Sequence, residues 1–488
     1  MNPLSGGTGK AKSTGKQNKL SGRIYENLRN DLFDAVPHEV RQRGGTKSLL
    51  RRNQYGFSVS GPVWLPKLFD GRGRTFFSVN FEATRERIAQ SALFTVATDK
   101  QRQGDFSDLV DSAGQPIPIY DPLTNRPNPA YDPTQAISAT NLQYLRDQFP
   151  NNVIPANRLE PIAKSLVALY PRSNINVGPF LQNNYWVNSP FENRADGAIA
   201  KLDHRLTEKQ QLGFNFNRSR GLRKAPEYYP GPANAGAPSY NYENGSLIAQ
   251  DVFTASPRTI WTFRTSAAYS ATTSFEQDAA QDYPRQLGLK GLFAGYFPRF
   301  VFSSGYLSIG PSTAVFRDRS YSYNGSAAVS INRKAHTFQL SALGQRSFVN
   351  SLSPTYPSGW FSFTNSITGL PGVRNTGSAF AGFMLGMVSR AEEGVILHPS
   401  YYSRNFFDFN LRDEYRARSG LTIYANLSAE VSTPRVEKYD RQSTVSLDHI
   451  NPANGKPGAL IFAGRDGIGR NLDRMIQRLG VPAIPVHL

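Results

Sequence analysis

The chain has 488 residues, room for two or three ordinary cores, yet only 39% are hydrophobic while aromatics reach 12%, with 31 Phe and 23 Tyr beside 41 Gly and 33 Pro. That profile favours many strands joined by turn-rich loops over packed helices. With no cysteine, disulfide frameworks, thiolate metal sites and cysteine nucleophiles are excluded. The net charge of +18 is spread along the chain rather than gathered on one module, which argues against a nucleic-acid binder. A barrel facing lipopolysaccharide, or lined for anions, would carry the same sign.

Residues 1–20 read as a disordered basic tail. Its "SGGTGK" is not a phosphate loop, because Leu4 and Ala11 stand where that motif needs glycine and Ser or Thr. The N-terminus lacks the apolar stretch of a secretory signal. No run of eighteen apolar residues occurs, so no transmembrane helix is expected. Period-2 alternation instead predicts strands at 21–29, 54–62, 75–84, 198–207, 210–218, 247–256, 259–271, 319–332, 336–349, 401–416 and 421–433. In "RTFFSVNFEATRER" Phe77, Val79, Phe81 and Ala83 share one face, with Ser78, Asn80 and Glu82 on the other. In "LTIYANLSAEV" Leu421, Ile423 and Leu427 alternate with Thr422 and Asn426 in the same way.

The connections alternate in length. Short ones at 207–209, 257–258, 333–335 and 418–420 join hairpins, while long ones fill 85–197, 219–246, 272–318 and 350–400. Compact soluble domains have median connections of about 4–6 residues. Outer-membrane barrels alternate short periplasmic turns with long extracellular loops. The reading is therefore all-β, an antiparallel transmembrane β-barrel sheet of about eleven strands with short helices in its long loops. Phe77, Val79, Phe81, Leu421, Ile423 and Leu427 are expected to face lipid, and Ser78, Asn80, Glu82, Thr422 and Asn426 a lumen. Within the loops, Leu159, Ile162, Leu166, Val167 and Tyr170 mark one face of a helix that stops at Pro171. A second helix is expected at 377–387, an apolar plug for its own loop.

Nothing in the sequence assembles catalytic chemistry. The histidines, His38, His204, His336, His398, His449 and His487, include no pair at helical metal-site spacing. His204 is expected beside a turn, on the lumen face or at its rim. Glu392 and Glu393 read as solvated loop charge, and no GxSxG elbow occurs. The expectation is no enzyme, with no catalytic, cofactor or metal residue, and no ligand-binding residue can be named. Ligand contacts are expected from the loops 85–197 and 350–400, which carry aromatic and basic residues outside the strands.

The segments "SGRIYENLRND", "LRRNQYGFSVSGPVWLP" and "DGRGRTFFSVNFEATRER" resemble the plug-to-barrel junction and first strands of Oar-like TonB-dependent receptors of the acidobacterial type. The likeness continues through "RQGDFSDL", "IYDPLTNRPNP", "NVIPANRLEPIAKSLVALYP", "LDHRLTEKQQL", "NTGSAFAGFMLG" and "GALIFAGRDG", covering residues 21 to about 467. It implies a barrel of about twenty-two strands, preceded by a carboxypeptidase-regulatory-like module, a plug and a TonB box. Three departures stand out: those N-terminal parts and the signal peptide are missing, the likeness fades after about Asn471, and the chain ends in Leu488 rather than an aromatic-tipped strand. The expectation is a fragment, the N-terminal half of the barrel, inactive alone.

The expected segments are the tail 1–20, the plug/barrel junction and first strands 21–84, a long extracellular loop region 85–197, barrel strands 198–433 and a terminal loop 434–488, expected to be truncated. The resemblance implies partners: outer-membrane lipid and lipopolysaccharide, the TonB complex through the missing N-terminal part, and a large ligand, but no nucleic acid. It implies the bacterial outer membrane as location. The alternatives are a surface-attachment barrel that transports nothing and a soluble basic β protein.

Overall fold

The computed structural model describes residues 19–36, 38, 41, 47–177, 182–274, 279–312, 315–394, 398–451 and 454–462. Within them, eleven long strands follow one another in chain order through a single antiparallel sheet. These are β1 (Ser21–Asn30), β2 (Leu50–Pro62), β3 (Thr75–Phe94), β4 (Tyr185–Thr207), β5 (Gln210–Lys224) and β6 (Tyr240–Ser256). They continue as β7 (Thr259–Ser274), β8 (Arg317–Arg333), β9 (His336–Leu352), β10 (Ser400–Arg418) and β11 (Leu421–Ser432). Among the described residues β1 and β11 do not pair with each other, so the sheet is open. No helix of the described residues is long and apolar enough to cross a membrane. The basic tail up to residue 18, including "SGGTGK", and residues 463–488 lie outside the described residues.

Directly opposed residues in a ladder share a face, so the register carries the sidedness of one strand to all the others. One row runs Phe77, Leu202, Phe214, Ala249, Thr265, Gly325, Gly344, Phe407 and Val431. The adjacent row runs Ser78, Lys201, Asn215, Ile248, Ser266, Asn324, Gln345, Phe406 and Ser432. By alternation from Val431, residues Leu421, Ile423 and Leu427 share the face of Phe77, Val79 and Phe81. Ser78, Asn80, Glu82, Thr422 and Asn426 share the opposite, polar face.

The apolar band crosses these rows obliquely. The row of Val79 is apolar through Ala200, Phe216 and Leu247 but ends in Arg346 and Asn405. The row of His204 contains Asp251 early and Phe263, Phe409 and Ala429 later. A band level in the membrane must drift along the strands when the strands tilt, as barrel geometry requires.

All eleven predicted strands are present, and several run further on the long-loop side than the alternation indicates. β3 reaches Phe94 and β4 begins at Tyr185, so the loop read as 85–197 contracts to 95–184. In the added stretches charged residues occupy both faces, as in Arg85, Glu86 and Arg87 opposite Arg194, Asn193 and Glu192. Backbone pairing needs no apolar face, so the ladder continues where the period-2 signal stops.

The short connections use local turn chemistry. Thr207 Oγ1 accepts from Lys209 N at 3.2 Å and Ser256 Oγ from Arg258 N at 3.2 Å. At the other two, Lys334 and Gly420 take φ of 52° and 85°; the left-handed region is easily reached by glycine and uncommon for lysine. These turns, with residues 63–74, lie at one end of the strands; the described residues of 31–49, 95–184, 225–239, 279–316 and 353–399 lie at the other. A separate hairpin, Ser443–Asn451 with Lys456–Phe462, follows the sheet.

Candidate ligand-binding cap

Nearly all fully buried apolar side chains lie between the strands rather than within them. The described residues of the connections 95–184, 225–239, 279–312 and 353–399 converge into one cap with a shared core. Phe94 and Tyr185, on the polar face at the strand tops, pack against that core, while their neighbours Leu93 and Trp186 on the apolar face are 50% and 46% exposed. The cap therefore folds over the polar face.

Each predicted loop helix forms and supplies part of the core. Helix α1 (Pro161–Leu169) starts at Pro161, where a missing N–H costs nothing, and buries Ala163, Leu166 and Val167. Its C-terminal end is held by Arg102, whose guanidinium donates to the carbonyls of Val167 (2.6 Å), Tyr170 (3.1 Å) and Pro171 (3.2 Å). A short helix, α2 (Tyr283–Leu287), precedes Gly288, which has φ of 82°. Helix α3 (Ala379–Met384) is capped by Ser378 Oγ, which accepts from Ala381 N at 3.3 Å, and all six of its residues are buried. It spans less than the predicted 377–387 and plugs its own loop, where Phe383 meets Phe363 with ring centroids 5.3 Å apart, together with the rest of the cap. Its Phe380 and Phe383 meet Phe302 of another connection with ring centroids 5.6 and 5.2 Å apart.

Polar contacts then fasten the connections to one another. Tyr170 OH donates to Leu307 O at 2.6 Å, and burial raises its pKa well above the usual phenol value. Tyr229 OH donates to Ser308 O at 3.0 Å; burial raises it too. Arg146 donates to three carbonyls, Ser366, Ile367 and Gly369, at 3.0, 2.8 and 2.6 Å. A small sheet pairs Arg299–Phe302 in parallel with Trp360–Phe363, which pairs with Arg390–Glu392. Arg158 reaches both oxygens of Asp121 at 2.8 and 3.0 Å and, with the Leu123 backbone N–H, keeps that carboxyl below its ordinary range against the opposing effect of burial.

One cavity of about 300 Å³ opens in this cap, lined by Gln101, Asp108, Ser304, Tyr306, Asn365 and Ser378 among others, with no Lys or Arg. Its wall is a connected chain of hydrogen bonds. Tyr306 OH donates to Gln101 Oε1 at 3.0 Å, Gln101 Nε2 to Asp108 Oδ1 at 3.2 Å, and Thr98 Oγ1 to Asp108 Oδ2 at 2.7 Å. Acceptors and hydroxyls beside an aromatic ring suit a hydroxyl-bearing ligand and, with two aspartates present, disfavour an anion.

The histidines do not gather. His204 does sit at the short-turn rim, its Nδ1 2.8 Å from Thr75 Oγ1, but register puts it on the apolar face, not the lumen face, because its row leads to Leu212 and Phe409. His336 Nδ1 lies 2.7 Å from Asp413 Oδ2, and His449 Nδ1 2.7 Å from Ser446 Oγ. Among the described residues no group of three or more His, Asp or Glu could hold a metal ion. Glu392 pairs with Arg390 at 2.7 Å, and Glu393 accepts from Phe293 N at 2.7 Å.

Sequence reasoning named no cap residue as functional. The signal that could have found them was the set of quoted blocks: "GDFSDL" supplies Asp108 and the buried Phe106, "IPANR" supplies Ile154 and Arg158, and "NTGSAFAGFMLG" supplies α3.

No curated protein matches the chain. Among solved structures it is similar to the ferric enterobactin receptor PfeA of Pseudomonas aeruginosa, at 9% identity and TM-score 0.36, over 88% of this chain and 41% of that one. It is similar to the outer membrane transporter YddB of Escherichia coli, at 7% and 0.38, over 86% of this chain and 40% of that one. The siderophore receptor PirA of Acinetobacter baumannii gives 9% and 0.36, over 93% and 49%. The chain thus spans about two fifths to one half of these proteins. The family profile described as "Outer membrane beta barrel domain" matches residues 17–478. An open-ended antiparallel sheet with one apolar and one polar face, and a profile match over nearly its whole length, show that this chain belongs to the outer membrane beta barrel domain family and resides in the outer membrane.

Proposed function

We propose that the chain is the N-terminal half of the barrel of a TonB-dependent receptor of the Oar-like type, which captures a large ligand at the cell surface and takes it up with proton-motive force relayed by TonB. The observation that carries this reading is the cap. Four connections from one rim form a single cored layer over the lumen face, where a ligand arriving from outside meets the barrel first. The Oar-like blocks "GDFSDL", "IPANR" and "NTGSAFAGFMLG" all fall in that layer. The cavity at Asp108 and Tyr306 would take one hydroxyl-bearing segment of the ligand.

Two unpaired sheet edges, β1 and β11, support the half-barrel reading. In hydrocarbon each unsatisfied backbone group costs several kcal/mol, so the chain alone transports nothing and aggregates without detergent. Cells carrying the complete receptor, given isotopically labelled oligosaccharides, provide the test. Accumulation that requires TonB and is lost in Asp108→Ala is expected. Surface retention independent of TonB favours the attachment barrel, and no retention overturns the assignment of the cap.

A further inference from the structure

On strands β5 to β9 the charged side chains are sorted by face. A polar lumen wall is general to outer-membrane barrels; this sorting is not. Arg218, Arg220, Glu243, Arg317, Arg319 and Arg346 all stand on the outward face. On the lumen face of the same five strands the charged residues are Arg223 and Asp318, near the long connections, and Arg264 lower down. Between the rows of Asp318 and Arg264 lie three rows that carry no charge on any of the five strands. The middle one reads Asn217, Ser246, Ala268, Ser322 and Ser347. Within this sector Asn324 Nδ2 donates to Ser266 Oγ at 3.1 Å and Asn244 Nδ2 to Ser219 Oγ at 3.4 Å.

The lumen face on either side is different. Glu82 and Lys201 stand there on β3 and β4, and Arg404, Asp408, Arg412 and Glu414 on β10. Several of these groups are already engaged: Tyr25 OH donates to Glu82 at 2.7 Å, Arg412 lies 5.3 Å from the centre of the Tyr424 ring, and Glu414 pairs with Arg416 at 3.3 Å. The neutral sector is also the one tied to the cap. Three of the four cap connections start from its strands, 225–239 after β5, 279–312 after β7 and 353–399 after β9. The cap cavity itself is lined by no Lys or Arg.

Short hydroxyls and amides both donate and accept, so such a wall exchanges hydrogen bonds with a hydroxyl-rich chain at any register along it. A fixed charge makes hydrogen bonds roughly twice as strong and holds the chain where it is. We propose that the neutral sector of β5–β9 is the surface along which an uncharged, hydroxyl-rich chain, an oligosaccharide in chemical class, passes from the cap into the lumen. The inference rests on the uptake reading and adds to it the route and the charge of the cargo.

The test uses cells carrying the complete receptor, given a mixture of isotopically labelled neutral oligosaccharides or the same mixture oxidised to uronic acids. Surface retention and TonB-dependent accumulation are scored separately. The neutral mixture is expected to accumulate in preference to the acidic one. Ser322→Asp should keep surface retention and lower accumulation about tenfold. Ser322→Asn, of the same size but uncharged, and Asn410→Asp, on the charged β10, should both accumulate like the parent. Ser347→Asp, in the same row as Ser322, replaces Ser322→Asp if that variant fails to insert. Undiminished accumulation in the Asp variant of the neutral sector, an equal loss in Ser322→Asn or Asn410→Asp, or preferential uptake of the acidic mixture overturns the proposal and leaves the receptor reading standing. A parent receptor that retains neither mixture, or whose accumulation is independent of TonB, overturns the receptor reading and this proposal with it.

Discussion

The sheet and the cap use the same apolar residue types in opposite ways. Phe214, Leu247 and Leu427 on the sheet are 40%, 53% and 70% exposed, whereas Phe106, Leu166 and Phe380 in the cap are 0% exposed. The cap buries its side chains against protein and is stabilised as a soluble domain is. The sheet leaves its outward side chains for hydrocarbon to cover. One chain thus holds two folding problems with two solvents, and perturbations should sort by region.

The largest effect is expected from Phe380→Ala. It empties the centre of the cap, where Phe380 meets Phe302, Tyr306 and Phe383, at a cost of about 3–5 kcal/mol. Proteases should then cut connections 95–184 and 353–399 while the sheet of the assembled barrel stays resistant. Equal loss of both regions would show that cap and sheet fold as one unit.

The complementary pair acts on the sheet alone. Val79→Arg puts a charge on the lipid face and should cost about 2–4 kcal/mol near the membrane centre, whereas Asn80→Arg on the lumen face should cost far less. The yield of heat-modifiable, membrane-inserted barrel measures the difference. Equal tolerance would reverse the assignment of the two faces.

The smallest effect is a pH dependence confined to the cap. The hydrogen bonds from Arg158 are the main cause that lowers the Asp121 pKa from its ordinary 3.8. A carboxyl depressed in the folded state contributes stability that is complete above its unfolded value and lost as pH falls through the folded one. Protease resistance of the cap should therefore weaken only below about pH 3.8, and Asp121→Asn should reduce that dependence, the rest coming from Asp105 and Asp132, whose carboxyls are also held low. A cap that softens at pH 6 would point to another group.

Legibility followed the same division. Strands with a clean period of two, such as Phe77 to Phe81 and Leu421 to Leu427, were readable because each side chain's polarity reports its face directly. Their extensions to Phe94 and from Tyr185 were not, because both faces there meet water and polarity no longer alternates. His204, expected on the lumen face or at its rim, lies at the rim; which face it takes was not legible, since one residue of parity decides the side and only the ladder sets it. In the cap, the helix at Pro161–Leu169 was visible from its own spacing. Its partners were not, because Tyr170 to Leu307 and Arg146 to Gly369 are contacts between distant segments.

The sequence by itself determined the all-β class, the alternation of short and long connections, and which residues of each strand share a face, since these depend on local periodicity and turn chemistry. Only the tertiary structure decided that four long connections make one cored cap, that Asp108 and Tyr306 meet in one cavity, and that the arginines of four strands stand together on the outward face. Each of those outcomes depends on register and on contacts between residues far apart in the chain, which no local pattern encodes.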